Sequence, residues 1–226
     1  MDLHTVTAYR AALERADLAL ADGERILGGG TWLYSEPQVG TSGLVDLTTM
    51  GWPAWERTDA GLTVAATCTI AELTRIPEEP GWRAHPLFFQ CATALLASFK
   101  VWNIATVGGN VCRSFAAASM VSLCAALDAQ ALVWTPDGGG YRIPVAELVT
   151  GNGTNTLAPG EVLRALEFPE HALRARTGFR KIALAELGRS GAVVTGRVDE
   201  DGRAVFGVTA AVLRPGILRY ERLPDA

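Results

Sequence analysis

Two glycine-rich stretches constrain this chain more than any other feature: Gly28-Gly29-Gly30-Thr31, and the run Asn103-Ile104-Ala105-Thr106-Val107-Gly108-Gly109-Asn110. At each, a main chain stripped of side chains can come close to a ligand. They lie about eighty residues apart, each beside an apolar segment, which points to one ligand gripped by two loops. Consecutive backbone N–H groups form anion-binding concavities without a basic side chain, so a phosphate is the natural ligand. Taken singly, each stretch is equally well read as a tight turn, with Asn110 as a local hydrogen bonder. Gly28–Thr31 lacks the lysine of G-x-x-x-x-G-K-[ST] and does not match G-x-G-x-x-G, which argues against a P-loop and an ordinary Rossmann site.

The 226 residues, 49% hydrophobic and 19% charged, describe a globular chain able to bury a core as one large domain or two small ones. A net charge of -4 with no basic block argues against nucleic acid or an anionic membrane as the main partner. No apolar run approaches the roughly 20 residues needed to cross a bilayer, and the N-terminus shows no signal-peptide core; the expectation is a cytoplasmic protein. Cys68, Cys91, Cys112 and Cys124 include no C-x-x-C pair, which points to buried small residues rather than zinc or iron–sulfur ligands. Cys112 lies beside the second glycine stretch and so near any ligand held there. His4, His85 and His171 fall at element ends without metal-pair spacing, and surface or capping roles are expected of them. No Ser–His–Asp or Cys–His grouping stands out. Lys100 and Lys181 are the only lysines, and their ordinary reading is a solvated surface charge.

Apolar spacing predicts an amphipathic helix over residues 5–21, from Val6, Tyr9, Leu13 and Leu20. Strands are expected at 25–27, running straight into Gly28, and at 44–47, 62–65 and 131–134. Pro86 opens a helix whose stripe is Leu87, Cys91, Leu95 and Phe99, and Met120, Leu123, Cys124 and Leu127 mark another directly after the second glycine stretch. Residues 135–160 are rich in glycine and proline and are read as loop, with the domain boundary there or just beyond. Residues 162–168 alternate like a strand with one exposed face, and 192–198 with 204–212 flank the acidic turn Asp199-Glu200-Asp201-Gly202 as a hairpin. The fold class is α+β with mixed sheets in two domains.

These residues resemble the flavin-binding subunit or domain of the molybdenum hydroxylases, the xanthine dehydrogenase and aerobic carbon monoxide dehydrogenase group. Gly28 to Leu33 is similar to that family's first loop, A-G-G-[TQ]-x-L. Residues 98–110, SFKVWNIATVGGN, resemble S-x-x-[IV]-R-N-x-[AG]-T-[IV]-G-G-N, and the helix ending Leu127-Asp128-Ala129 keeps the family's spacing. Residues 157–169 look like L-x-P-G-E-[IV]-L-x-x-I-x-[IVF]-P. The resemblance covers nearly the whole chain in order. It implies a two-lobed FAD-binding domain over 1–160, with loops 28–33 and 106–119, and a small, shortened α+β domain over 161–226.

The resemblance further implies one FAD. Its contacts would be Gly28, Gly29, Gly30, Thr31, Trp32 and Leu33 in the first loop, and Thr106, Gly109 and Asn110 in the second. Leu163 would lie by the flavin ring, and Lys181 would occupy the place of a lysine near it, where positive charge favours the reduced anion. The chain departs from the family pattern at Trp102, which replaces the arginine of R-N. It departs again at Arg113, where a small residue is common, at Ser119, which stands at an aspartate position, and in residues 114–119, where the family's proline is lost. Ser119 would bond a hydroxyl more weakly than a carboxylate, and Arg113 would offset that loss by pairing with a phosphate. The implied function is an FAD-dependent oxidoreductase subunit passing electrons between molybdopterin and iron–sulfur partner subunits and an external acceptor. A free-standing flavoenzyme acting on its own small substrate and a flavin-free assembly scaffold are the alternatives.

Overall fold

The computed structural model describes residues 3–186 and 188–225, and builds them on four sheets. At the N-terminus, β1 (Ala8–Ala11), β2 (Glu24–Leu27) and β3 (Gly43–Asp46) form a parallel sheet in the order β1-β3-β2. The helix expected over 5–21 does not form. In its place stand β1 and a 3-10 turn at Arg15–Leu18, closed by reciprocal Glu14 and Asp17 capping. Tertiary bonds override the local periodicity here. Arg10 forks onto Glu24 at 2.8 and 2.7 Å, and only Ala12 and Leu18 of the segment are buried, while Tyr9 and Leu13 face solvent. The strand expected at 25–27 runs into Gly28 as read.

The second sheet is built from β4 (Trp55–Thr58), β5 (Gly61–Ala65), β6 (Gln130–Trp134), β7 (Gly140–Pro144) and β10 (Val162–Pro169), in the order β4-β5-β10-β6-β7. Between β5 and β6 run α1 (Ile70–Leu73), α2 (Pro86–Ala94), α3 (Phe99–Trp102), α4 (Val107–Arg113) and α5 (Ser119–Ala126). α2 stops five residues short of the expected Phe99. Leu95 turns extended, and Ser190 Oγ, far along the chain, donates to the Ala94 carbonyl at 3.2 Å. All eight residues of α5 are buried, so this helix is enclosed on every side rather than along one stripe. The core joins Leu87, Phe88 and Cys91 of α2 and Met120, Leu123 and Cys124 of α5 to Leu62, Leu166 and Phe168 of the sheet; Phe88 meets Phe168 edge-on at 5.8 Å.

Residues 135–160 are not simply loop. They contain β7, α6 (Val145–Leu148) and the short hairpin β8 (Val149–Gly151) with β9 (Thr154–Asn155). Glycine at 138, with φ +88°, permits the tight reversal that pairs β6 with β7. β10 was expected to expose one face, yet it lies between β5 and β6 with Val162, Leu163, Ala165, Leu166 and Phe168 all buried. A bulge between Leu163 and Ala165 breaks the alternation, so both faces become apolar. β10 belongs to this sheet, so the sheet continues past residue 160, and α7 (Glu170–Arg174) follows it.

The remaining sheet is an antiparallel meander of β11 (Arg176–Ile182), β12 (Ala192–Val198), β13 (Ala204–Thr209) and β14 (Gly216–Tyr220). The 192–209 hairpin forms as read, but Asp199 is not a solvated turn residue. It faces Arg197, whose side chain is 2% exposed, at 2.8 Å. Arg197 also reaches Asp128 at 2.6 Å and the Ala126 carbonyl at 3.0 Å, and Arg219 closes the network on Asp128 at 2.6 Å. This network ties the meander to the end of α5. No helix among the described residues is long and apolar enough to cross a membrane.

Removing Arg197 leaves two acids facing each other without their shared cation. Arg197→Ala is expected to cost about 3–5 kcal/mol in urea unfolding. Burial alone would raise the Asp128 carboxyl, but the bond from Arg219 and the charge of Arg197 outweigh it and hold it below the usual carboxylate range. The depressed folded value makes this contribution complete above the unfolded pKa of about 3.9 and lost as pH falls through the folded one. Acid titration should therefore show wild type losing part of its advantage over Arg197→Ala below about pH 4.

Candidate functional site

The strand β2 delivers residues 28–33 beside the start of α4, and the two glycine stretches touch. A Cβ built on Gly29 would lie 1.8 Å from the Ile104 carbonyl oxygen, and one on Gly28 would lie 2.9 Å from Thr106 Oγ1. Gly30 has φ +68° and carries the Tyr34 ring where a side chain would go. The carbonyls of this loop turn back onto the chain: Tyr34 N–H donates to Gly30 at 2.8 Å, Ser35 N–H to Trp32 at 2.9 Å, and Ser35 Oγ to Thr31 at 2.5 Å. The N–H groups of residues 28–33 do the opposite, and among the described residues nothing accepts a hydrogen bond from any of them. Six successive half-buried donors without acceptors form an anion cradle.

The second stretch is built differently. Thr106 is buried and caps α4, its Oγ1 accepting from Gly109 N–H at 3.0 Å. Val107 N–H donates to Cys68 at 2.8 Å, Gly108 N–H to Ala66 at 3.0 Å, and Asn110 N–H to Thr106 at 3.0 Å. The main-chain donors expected to meet a phosphate here are thus already spent on the fold. Gly108 is required because a Cβ would strike Ala66 at 2.5 Å, whereas a Cβ on Gly109 would meet only Thr106 Oγ1 at 2.8 Å. What this stretch presents is side chains. Asn110 Oδ1 accepts from Met120 N–H at 3.0 Å, which joins the starts of α4 and α5 and leaves the amide N–H₂ of Asn110 free.

Arg113, at the end of α4, lies against Trp32 of the first loop at 3.8 Å and Phe115 at 3.9 Å, linking the two loops. Burial lowers its pKa, an effect partly offset by the Glu36 charge. Ser119 is buried at the first turn of α5, and its Oγ has no partner. The segment between is held firmly: Asn155 Nδ2 donates to the Cys112 carbonyl at 2.7 Å, Gly153 N–H to Ser114 at 2.7 Å, and Ala116 N–H to Asn152 at 3.0 Å. The cysteine thiol of residue 112 is enclosed, and burial pushes it up to about 12, far from a reactive thiolate. Leu163 is packed into the core at 3% exposure, which leaves little of its side chain for a ligand. Lys181 lies on the half-buried face of β11 with Thr177 and Phe179, and forms no ion pair among the described residues.

Sequence reasoning thus named the two loops, but not their contact nor the Trp32–Arg113–Phe115 cluster. It also missed the supporting role of Asn152, Gly153 and Asn155, whose signal was an asparagine–glycine turn inside a stretch read as loop. The two glycines separate in consequence. Gly29→Ala forces main chain from main chain and is expected to cost more than about 3 kcal/mol of unfolding free energy. Gly109→Ala displaces only the Thr106 cap and should cost about 1 kcal/mol. Equal losses in denaturant titrations would mean that the loops do not meet as described.

The family of the FAD binding domain in molybdopterin dehydrogenase matches residues 4–171. A xanthine dehydrogenase FAD-binding subunit of Escherichia coli O157:H7 is 26% identical over 160 residues, 67% of this chain and 53% of that protein. This chain therefore spans about half the length of that relative. The 6-hydroxypseudooxynicotine dehydrogenase complex subunit alpha of Paenarthrobacter nicotinovorans is 24% identical over 217 residues, 85% of this chain and 67% of its own. Among solved structures, quinoline 2-oxidoreductase from Pseudomonas putida 86 superposes with a TM-score of 0.80 at 22% identity, over 93% of this chain and 76% of that one. Carbon monoxide dehydrogenase from Hydrogenophaga pseudoflava does so with 0.81 at 18%, over 95% and 77%. The fold is shared with both structures, and the match over residues 4–171 makes this chain a member of the FAD-binding domains of molybdopterin dehydrogenases, an oxidoreductase family whose cofactor is FAD.

Proposed function

We propose that this chain is the FAD-binding subunit of a molybdopterin dehydrogenase complex, relaying electrons between a molybdopterin- and iron–sulfur-bearing partner and an external acceptor. The observation that carries the reading is the cradle of six unpaired N–H groups at 28–33, set against a second loop in a chain of this family. Two negatively charged phosphates suit such a cradle, and the donor set fits FAD. The main chain from Gly28 to Leu33 would hold the diphosphate. Thr106 and Gly109 would shape the approach, and the free amide of Asn110 would face the ribityl chain. The wall by the ring would come from Leu163, through its main chain. When bound, FAD supplies the capacity to take and release electrons singly or in pairs. The protein's contribution is to bind, orient and tune it.

Lys181 is the tuning residue in this reading. Its half-buried place on β11 and lack of a carboxylate partner leave its charge available to a neighbouring anion. The partner subunits would carry the metal chemistry, since Cys68, Cys91 and Cys124 are buried in this chain's core. The names of the relatives above, subunits of dehydrogenases, support assembly into a larger enzyme.

Purified protein should be yellow and release FAD on acid or heat, since residues 28–36 contain no histidine or cysteine to bond it covalently. Protein that stays colourless and takes up no added FAD would favour an assembly scaffold. Turnover of a small substrate by the isolated chain, with no copurifying subunits, would favour a free-standing enzyme. Lys181→Met should keep most of its FAD and lower the two-electron reduction potential by about 30 mV, the equivalent of about 1.4 kcal/mol of lost stabilisation of the reduced anion. Matching potentials in spectroelectrochemical titration would end the role given to Lys181.

A further inference from the structure

We propose that Arg113 is an anion ligand particular to this chain, donating to the diphosphate of bound FAD across from the N–H groups of residues 28–33. The inference rests on the FAD-binding reading above and adds a second, charged arm to its phosphate site. Trp32 and Phe115 both lie against the guanidinium, at 3.8 and 3.9 Å, and meet each other edge-on at 6.2 Å. Among the described residues none accepts a hydrogen bond from it and none forms an ion pair with it, and Nε is fully enclosed. The charge of Glu36 acts on this cation without bonding it, so its donors are left for a ligand anion to satisfy. The first loop brings Trp32 against it, and with Trp32 the unpaired N–H groups.

The pattern of orphaned atoms points the same way. Setting aside Arg197 Nε and Asp199 Oδ1, which face each other at 2.8 Å, the buried side-chain polar atoms without a hydrogen-bond partner among the described residues are Trp102 Nε1, Arg113 Nε and Ser119 Oγ. All three are positions at which the chain departs from the pattern it resembles, a pattern it also leaves at the proline lost between Ser114 and Ser119. In that pattern an arginine at 102 and an aspartate at 119 balance in charge. Here both are neutral, and Arg113 adds a positive charge beside the cradle that Glu36 offsets in part. Recognition has moved from a carboxylate that accepts a hydroxyl to a guanidinium that donates to an anion.

Apo-protein titrated with FAD and riboflavin by fluorescence, and with ADP by calorimetry, tests this. Arg113→Met should weaken FAD and ADP about ten- to a hundredfold, leave riboflavin unchanged, and flatten the salt dependence of FAD binding. Unaltered FAD and ADP affinity would reduce Arg113 to a brace between the loops. Equal weakening of all three ligands would mean that the loops had collapsed, and would overturn the proposal as well. If Arg113→Met does not fold, Arg113→Lys carries the test: it keeps the charge but loses the fork, and should weaken FAD and ADP severalfold while sparing riboflavin. Wild-type protein that binds neither FAD nor ADP would overturn the FAD-binding reading itself, and this inference with it.

Discussion

A side chain on residue 29 would collide with the main chain at Ile104, and the rest of the site depends on there being none. That contact, with Gly28 against Thr106 and Trp32 against Arg113, holds the end of β2 against α4. In the first loop the carbonyls of Gly30, Thr31 and Trp32 are engaged by Tyr34 and Ser35, while the N–H groups of residues 28–33 have no acceptor among the described residues. The second stretch differs. The start of α4 spends its main-chain donors on Ala66, Cys68 and Thr106, so that helix is anchored to the sheet and offers side chains. The first loop does the reverse. Hydrogen bonding thus distinguishes two stretches that look alike on paper.

A second constraint lies on the far side of α5. Arg197 is almost wholly buried, and its bonds to Asp128, Asp199 and the Ala126 carbonyl join the meander to the same helix whose first turn carries Ser119. Ser122 and Thr209, bonded at 2.6 Å, add a neutral link nearby, and Ala210 N–H reaches the Ala116 carbonyl at 2.8 Å. The segment from Arg113 to Ser119 is therefore fixed at both ends, by the β8–β9 turn and by the meander. A buried ion network of this kind adds little net stability compared with apolar packing, but its geometry admits one arrangement.

Much of this was legible in the residues. Glycine at 28–30 and 108–109 announced close approaches, and the apolar runs of β2, β3, β5 and β6 were strong enough to survive into the fold. The run Met120 to Leu127 announced α5, though not that every side of it would be covered. The misreadings share one cause. Residues 5–21 carry helical spacing, but β1 pairs with a strand more than thirty residues away and Arg10 locks onto Glu24, contacts that periodicity cannot see. β10 read as a half-exposed strand because a bulge shifts its alternation, and because nothing local says that a strand will be flanked by β5 and β6. The glycines and prolines of 135–160 do make turns, but short paired strands lie between them.

The sequence by itself determined the alphabet of the site: which positions lack side chains, which residues depart from the family pattern, and the order of strands and helices that brings a cofactor family to mind. Backbone conformation and apolar burial are local enough to be written in neighbouring residues. Only the tertiary structure decided which donors remain free. Whether an N–H or a guanidinium has an acceptor depends on atoms that are distant in the chain, as Arg113 depends on Trp32, and as Val107 and Gly108 depend on Cys68 and Ala66. Hydrogen-bond satisfaction is a property of the assembled fold, and it separates the loop whose main-chain donors are unpaired from the loop whose donors are bonded within the chain.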